Sequence, residues 1–188
     1  MLQDIFKTSI WNIKLDFNLP NLNKEIEEII KKDKGRKISN TCGYQSNDIE
    51  YKKYTQLLFL SEIITLNTQN YRKSLGLDQN FKFDNMWINI NKYKDFNMSH
   101  IHPACSIAGV FYVKCPEGCG DIVLENGCAD SIEHTWEESI NKYTLNTSSK
   151  WTIRAADNLL LLFPSYLTHY VGPNLSNQER ISLSFNIK

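Results

Sequence analysis

The spacing of apolar residues divides the chain into a helical first part and a strand-rich second part. From Ile5 to Phe17 apolar and polar positions partly alternate, which predicts a strand. Pro20 breaks it, and Asn21 or Asn23 can cap a helix through Lys32 with Leu22, Ile26, Ile29 and Ile30 at helical spacing. Gly35 is the expected stop. Residues 36–48, RKISNTCGYQSND, read as a polar loop. A longer helix is predicted from about Asp48 to Ser74, burying Tyr54, Leu57, Leu58 and Ile64.

After Gly76 the period shortens. FKFDNMWININ, SIAGVFYVKC, GDIVLEN, SKWTIRA, NLLLLFP and RISLSFNIK read as short strands, with a turn at Pro116-Glu117-Gly118. The last is the clearest. Ile181, Leu183, Phe185 and Ile187 fall on one face, Arg180, Ser182, Ser184 and Asn186 on the other. Two helices followed by about seven strands predict a mainly β domain, a sandwich or barrel over residues 81–188 with a helical N-terminal layer over residues 1–80.

Composition narrows this picture without redirecting it. At 188 residues the chain fits one domain with a real core. Lys+Arg and Asp+Glu both count 21, so there is no nucleic-acid or polybasic membrane signal. The start carries charges and no apolar signal region, and the run Leu159–Phe163 is too short to span a bilayer. The expected setting is cytoplasmic, the host cytoplasm if the chain is phage-encoded, and five cysteines there fit reduced thiols.

Candidate chemistry centres on histidine, of which there are four. On a strand, His100 and His102 would point to the same face as a pair of neutral nitrogen ligands; the bland alternative is a pair of surface histidines. His169 lies far downstream in FPSYLTHYVGP. The connection Tyr170–Glu179 contains Gly172, Pro173 and Asn174, so the chain can turn and bring Arg180 back along a neighbouring strand. Arg180 with a hydroxyl at Ser182 suits a carboxylate, although a polar face on a last strand is commonly just solvated.

These pieces together resemble the Fe(II)- and 2-oxoglutarate-dependent oxygenases, closest to a family found in bacteria and their phages. The resemblance is carried by Trp87-Ile88-Asn89, His100 to Pro103, Ala108 to Val113, and Phe163 to Asn186, with Gly43 to Ser46 similar to an N-terminal signature. It implies a double-stranded β-helix, a cupin-like jelly roll. It also implies Fe(II) held by His100 and His169, and 2-oxoglutarate held by Arg180 and Ser182. Tyr112 matches a tyrosine on the same carboxylate in prolyl-hydroxylase-like relatives, and Asn89 is a weaker candidate for the pocket wall. The implied activity is a dioxygenase reaction on a small-molecule or peptide substrate, consuming O2 and releasing succinate and CO2.

One position departs from the pattern. His102 stands where the superfamily has a carboxylate, leaving the site one negative charge short. Three readings compete: His102 is the third ligand of a three-histidine site, which is the reading adopted, or Asp121 or Glu125 supplies the anion, or His102 stands outside a two-ligand site. Two other functions compete: a cupin-like three-histidine metalloenzyme without 2-oxoglutarate, and a non-catalytic jelly-roll binding module. Val110, Leu160 and Leu162 are expected to line or back the cavity. Exposed sheet edges make a homodimer reasonable. Cys115, Cys119, Cys128 and His134 have a spacing that zinc can use, but buried or incidental cysteines are the plainer account. Trp136 and Trp151 are expected in packing, and EIEEIIKKDKGRK as a solvated helix face.

Overall fold

Strict alternation in the last strand is matched in space by two cores, one on each side of a single sheet. The structure, a computed structural model, describes residues 1, 3 and 5–188. In chain order the elements begin with β1 (Trp11–Lys14), α1 (Leu19–Ile30), β2 (Asn40–Thr41), β3 (Tyr44–Gln45) and α2 (Thr55–Ser74). They continue with β4 (Phe83–Asn91), β5 (Phe96–His100), β6 (Ile107–Lys114), β7 (Ile122–Glu125) and α3 (Ala129–Trp136). The chain closes with β8 (Lys150–Ile153), β9 (Leu159–Pro164), β10 (His169–Val171) and β11 (Arg180–Ile187). One antiparallel sheet has the order β1-β9-β6-β11-β4-β3, the other β2-β5-β10-β7-β8.

The first core lies between the helices and the larger sheet. Leu22 and Ile26 of α1 and Leu57, Leu60 and Ile64 of α2 pack on Leu160, Leu162, Leu183 and Phe185. The second lies between the sheets, where Val110, Leu161 and Phe163 meet Ile122, Leu124 and Ile153. The run Leu159–Phe163 is apolar throughout because β9 is buried on both faces. Leu160 and Leu162 therefore face the helices and do not line a cavity between the sheets.

Local chemistry corrects several boundaries. The expected strand Ile5–Phe17 is paired only over Trp11–Lys14, as an edge against β9. Asn18, not Asn21 or Asn23, caps α1, its side chain accepting from the Asn21 N–H. Pro20 sits in the first turn, where a missing N–H costs nothing. Leu58 is 37% exposed because the buried stripe of α2 runs through Leu57, Leu60, Ile64 and Tyr71. Glu25 is more than a solvated charge, since its carboxylate accepts from the Gln56 and Leu57 N–H groups at the start of α2. The polar loop 36–48 contains β2 and β3, which join the sheets by backbone pairing.

Candidate metal centre

His169 opens β10 and sits directly opposite His100, the last residue of β5. His102 lies beyond the strand end, so the same-face argument for the pair does not apply. Its backbone N–H instead donates to the Ser165 carbonyl at 2.9 Å, and Ala104 turns the chain with φ 63°. The three rings still converge. Their centroids are separated by 4.3 Å (His100–His169), 5.2 Å (His100–His102) and 5.1 Å (His102–His169). One ring nitrogen from each lies within 4.8 Å of the others, and among the described residues this is the one such group that could hold a metal ion.

The hydrogen bonds decide which nitrogens are free. His100 Nδ1–H donates to the Met98 carbonyl at 2.6 Å, and His169 Nδ1–H to the Leu167 carbonyl at 2.8 Å. His102 Nδ1 pairs with Asn186 Oδ1 at 2.7 Å. Nε2 of each ring is left for the centre. Burial lowers the basicity of all three, His102 to about 4 and His169 to about 3. At neutral pH the rings are uncharged, the form that a metal binds without displacing a proton.

Neither candidate acid joins them. Asp121 Oδ1 accepts the Ala155 N–H at 2.9 Å, and Glu125 Oε2 accepts the Ser99 hydroxyl at 2.8 Å. The convergent group holds three imidazoles and no carboxylate.

The other end of the cavity belongs to the larger sheet. β10 and β11 lie in opposite sheets, so Arg180 faces His169 across the sandwich and not along a neighbouring strand. Residues 172–179 carry the chain from one sheet to the other. Asn89, Ser182 and Tyr112 form one cross-strand row through β4, β11 and β6. Arg180 is 1% exposed and forms no ion pair among the described residues. Its Nη1 donates to the carbonyls of Cys119 (2.7 Å) and Gly120 (3.0 Å). Gly120 has φ +85°, and a Cβ there would lie 2.1 Å from the Gly172 carbonyl oxygen, so only glycine closes this cradle.

Beside the guanidinium, the buried Tyr112 hydroxyl has no hydrogen-bond partner. Asn89 Nδ2 donates to Ser184 Oγ at 2.9 Å, while its Oδ1 is buried and unpartnered. A buried cation and an orphaned phenol side by side are what an anionic oxygen ligand would satisfy. The three histidines, Arg180, Ser182 and Tyr112 line one cavity. Trp87, Asn89, Val110 and Phe163 contribute its walls.

Sequence reasoning missed Asn186 as the partner of His102, although its position on the polar face of the last strand was the available signal. The cysteine spacing assembles no site. Cys128 and His134 are exposed, and the free Cys115 thiol donates a hydrogen bond to the Cys119 sulfur. Trp136 and Trp151, expected in packing, are each 47% exposed.

A family model described as "Putative 2OG-Fe(II) oxygenase" matches residues 85–186, more than half of the chain. The protein belongs to this family and is an Fe(II)- and 2-oxoglutarate-dependent oxygenase. No curated relative matches the sequence. Among solved structures, a Pseudomonas putida prolyl-4-hydroxylase superposes with a TM-score of 0.64 at 11% identity, over 95% of this chain and 92% of that one. The viral collagen prolyl hydroxylase of Paramecium Bursaria Chlorella virus-1 gives 0.62 at 14% identity, over 95% and 94%. The epimerase SnoN of nogalamycin biosynthesis gives 0.70 at 10% identity, over 96% and 78%. At these identities the likeness is one of fold, the double-stranded β-helix. No described helix is long and apolar enough to cross a membrane.

Proposed function

We propose that the protein hydroxylates a C–H bond of a small-molecule or peptide substrate, with His100, His102 and His169 as Fe(II) ligands. In this reading Arg180, Ser182 and Tyr112 bind the far carboxylate of 2-oxoglutarate, and Asn89 walls the pocket beside them. The observation that carries it is a buried guanidinium without an acidic partner among the described residues, sharing a cavity with three uncharged imidazoles.

Fe(II) with 2-oxoglutarate supplies dioxygen activation and the oxidative decarboxylation that yields succinate and carbon dioxide. The chain's own part is to bind, orient and exclude water. Three Nε2 lone pairs would be offered to the metal without loss of a proton, and the Nδ1 hydrogen bonds fix the orientation of each ring. Arg180 and Tyr112 offer a charge and a hydroxyl donor to a carboxylate. Trp87, Val110 and Phe163 keep the walls apolar.

A metalloenzyme that used three histidines alone would have no need for the second, cationic end. The structural relatives include prolyl hydroxylases and an epimerase, so the fold leaves the substrate class broad. A homodimer and a cytoplasmic setting remain part of the proposal. The test is succinate release from 2-oxoglutarate and oxygen by anaerobically iron-loaded protein. Turnover lost in His169→Ala, and lost in Arg180→Ala at 2-oxoglutarate concentrations near the parent KM, supports the assignment; succinate release unchanged by either substitution overturns it.

A further inference from the structure

We infer that Asn186 is the positioning residue that makes His102 a metal ligand in the place of a carboxylate. This rests on the three-histidine reading above. His100 and His169 are each oriented by the carbonyl two residues upstream, a local device built into the backbone. His102 has no such bond. Its Nδ1 is held by a side chain 84 positions away, Asn186 Oδ1 at 2.7 Å.

Asn186 itself cannot drift, because its backbone is paired with Asn85 on one side and Ala108 on the other. The Cys105 thiol lies 3.6 Å from the same oxygen and 3.4 Å from the His102 carbonyl, which its one proton serves in turn. An amide oxygen only accepts, so it fixes the His102 proton on Nδ1 and leaves the Nε2 lone pair facing His100 and His169. Trp87 stacks on the His102 ring, centroids 5.8 Å apart and planes 23° apart, and sets its tilt. His102 lies off the strand, so without these two contacts neither the tautomer nor the direction of its ring is specified. The asparagine that closes the Arg180–Asn186 segment thereby acquires a role, and that role is neutral. An amide orients the imidazole without adding the negative charge that a carboxylate would pass through it.

The experiment uses the full chain and Co(II) as the probe. Asn186→Ala weakens Co(II) binding by about 10- to 100-fold. Asn186→Asp, which keeps the oxygen, restores or tightens it. Asn186→Leu fills the same space without an acceptor and replaces the alanine variant if that one does not fold. In the His102→Ala background, Asn186→Ala has no further effect on Co(II) affinity, because Asn186 acts only through that ring.

Nitrogen-15 NMR of metal-free protein gives an independent readout. The His102 proton sits on Nδ1 in the parent and in Asn186→Asp, and shifts towards Nε2 in Asn186→Ala. Equal Co(II) affinity in parent and Asn186→Ala, an additive loss in the His102→Ala background, or an Nε2 proton in the parent overturns the inference. A parent that binds no Co(II) overturns the three-histidine reading itself, and the inference with it.

Discussion

The two ends of the cavity are finished to different degrees. At the histidine end each ring's outward nitrogen already has a partner, two on backbone carbonyls and one on Asn186. At the arginine end polar atoms are left over. Among the described residues the Tyr112 hydroxyl and Asn89 Oδ1 are buried without partners, and Arg180 is surrounded by carbonyls with no anion. A buried polar group without a hydrogen bond costs roughly 1–3 kcal/mol. The chain therefore orients the metal end by itself and leaves the other end to be completed by what binds there. Metal affinity should depend on the first set of residues, cosubstrate affinity and ligand-induced stability on the second.

The largest effect falls on His169, which is 4% exposed and paired in register with His100. His169→Ala should weaken Co(II) binding by more than the roughly 10- to 100-fold that loss of a supporting contact costs, and take succinate release below detection. Titration with Co(II) and a succinate assay check both. Next comes Arg180→Ala, which removes the cation from a fully desolvated position. Loss of such a partner costs about 2–5 kcal/mol, so the KM for 2-oxoglutarate should rise by roughly a hundredfold while Co(II) affinity stays at the parent value. A parallel fall in both would break the distinction between the ends.

The histidine and arginine ends also differed in how far they could be read beforehand. The face of β11 that carries Arg180 and Ser182 was legible because strict period two leaves one choice of inside and outside for the whole strand. β5 was not, since its alternation of Phe96 and Met98 with Asn97 and Ser99 is inverted in burial, with Asn97 buried and Met98 exposed, and the strand is held by pairing with β2 and β10. The three-residue β10 is too short to carry a period. Nor did the connection from His169 to Arg180 show that it crosses between sheets. Turn residues allow a hairpin or a crossover equally, and the choice is set by closing the core between Val110, Leu161 and Ile122, which no local pattern contains. His102 was found for a reason that fails, its place on a strand, and converges because of Ser165 and Asn186.

A smaller and more diagnostic change is Tyr112→Phe, which should act with opposite signs in two measurements. Deleting a buried hydroxyl that has no partner relieves its desolvation cost, so ligand-free protein should melt slightly higher, by about 1 kcal/mol of stability. The same deletion removes a donor to the cosubstrate, and the KM for 2-oxoglutarate should rise about tenfold, which is the same order of free energy. A lower melting temperature without ligand would mean that the hydroxyl is satisfied in the resting protein, and the contrast between the ends would lose its basis.

The smallest expected effect concerns the cysteine spacing, which offers a rival account of metal content. Cys128 and His134 are exposed, on the turn before α3 and on α3, and neither contributes to a convergent ligand group among the described residues. Cys115 and Cys119 are instead part of the arginine end. The Cys119 carbonyl accepts from Arg180, and hydrogen bonding from Cys115 is the main influence lowering the pKa of the Cys119 thiol. If that division is right, Cys128→Ser and His134→Ala together should change stability by no more than about 0.5 kcal/mol and leave one Co(II) per chain. Two metals per chain in the parent falling to one in the double variant would place a second ion beside the arginine end. The positive charge there would then have to be counted with that ion, and the claim that 2-oxoglutarate alone completes it would fail.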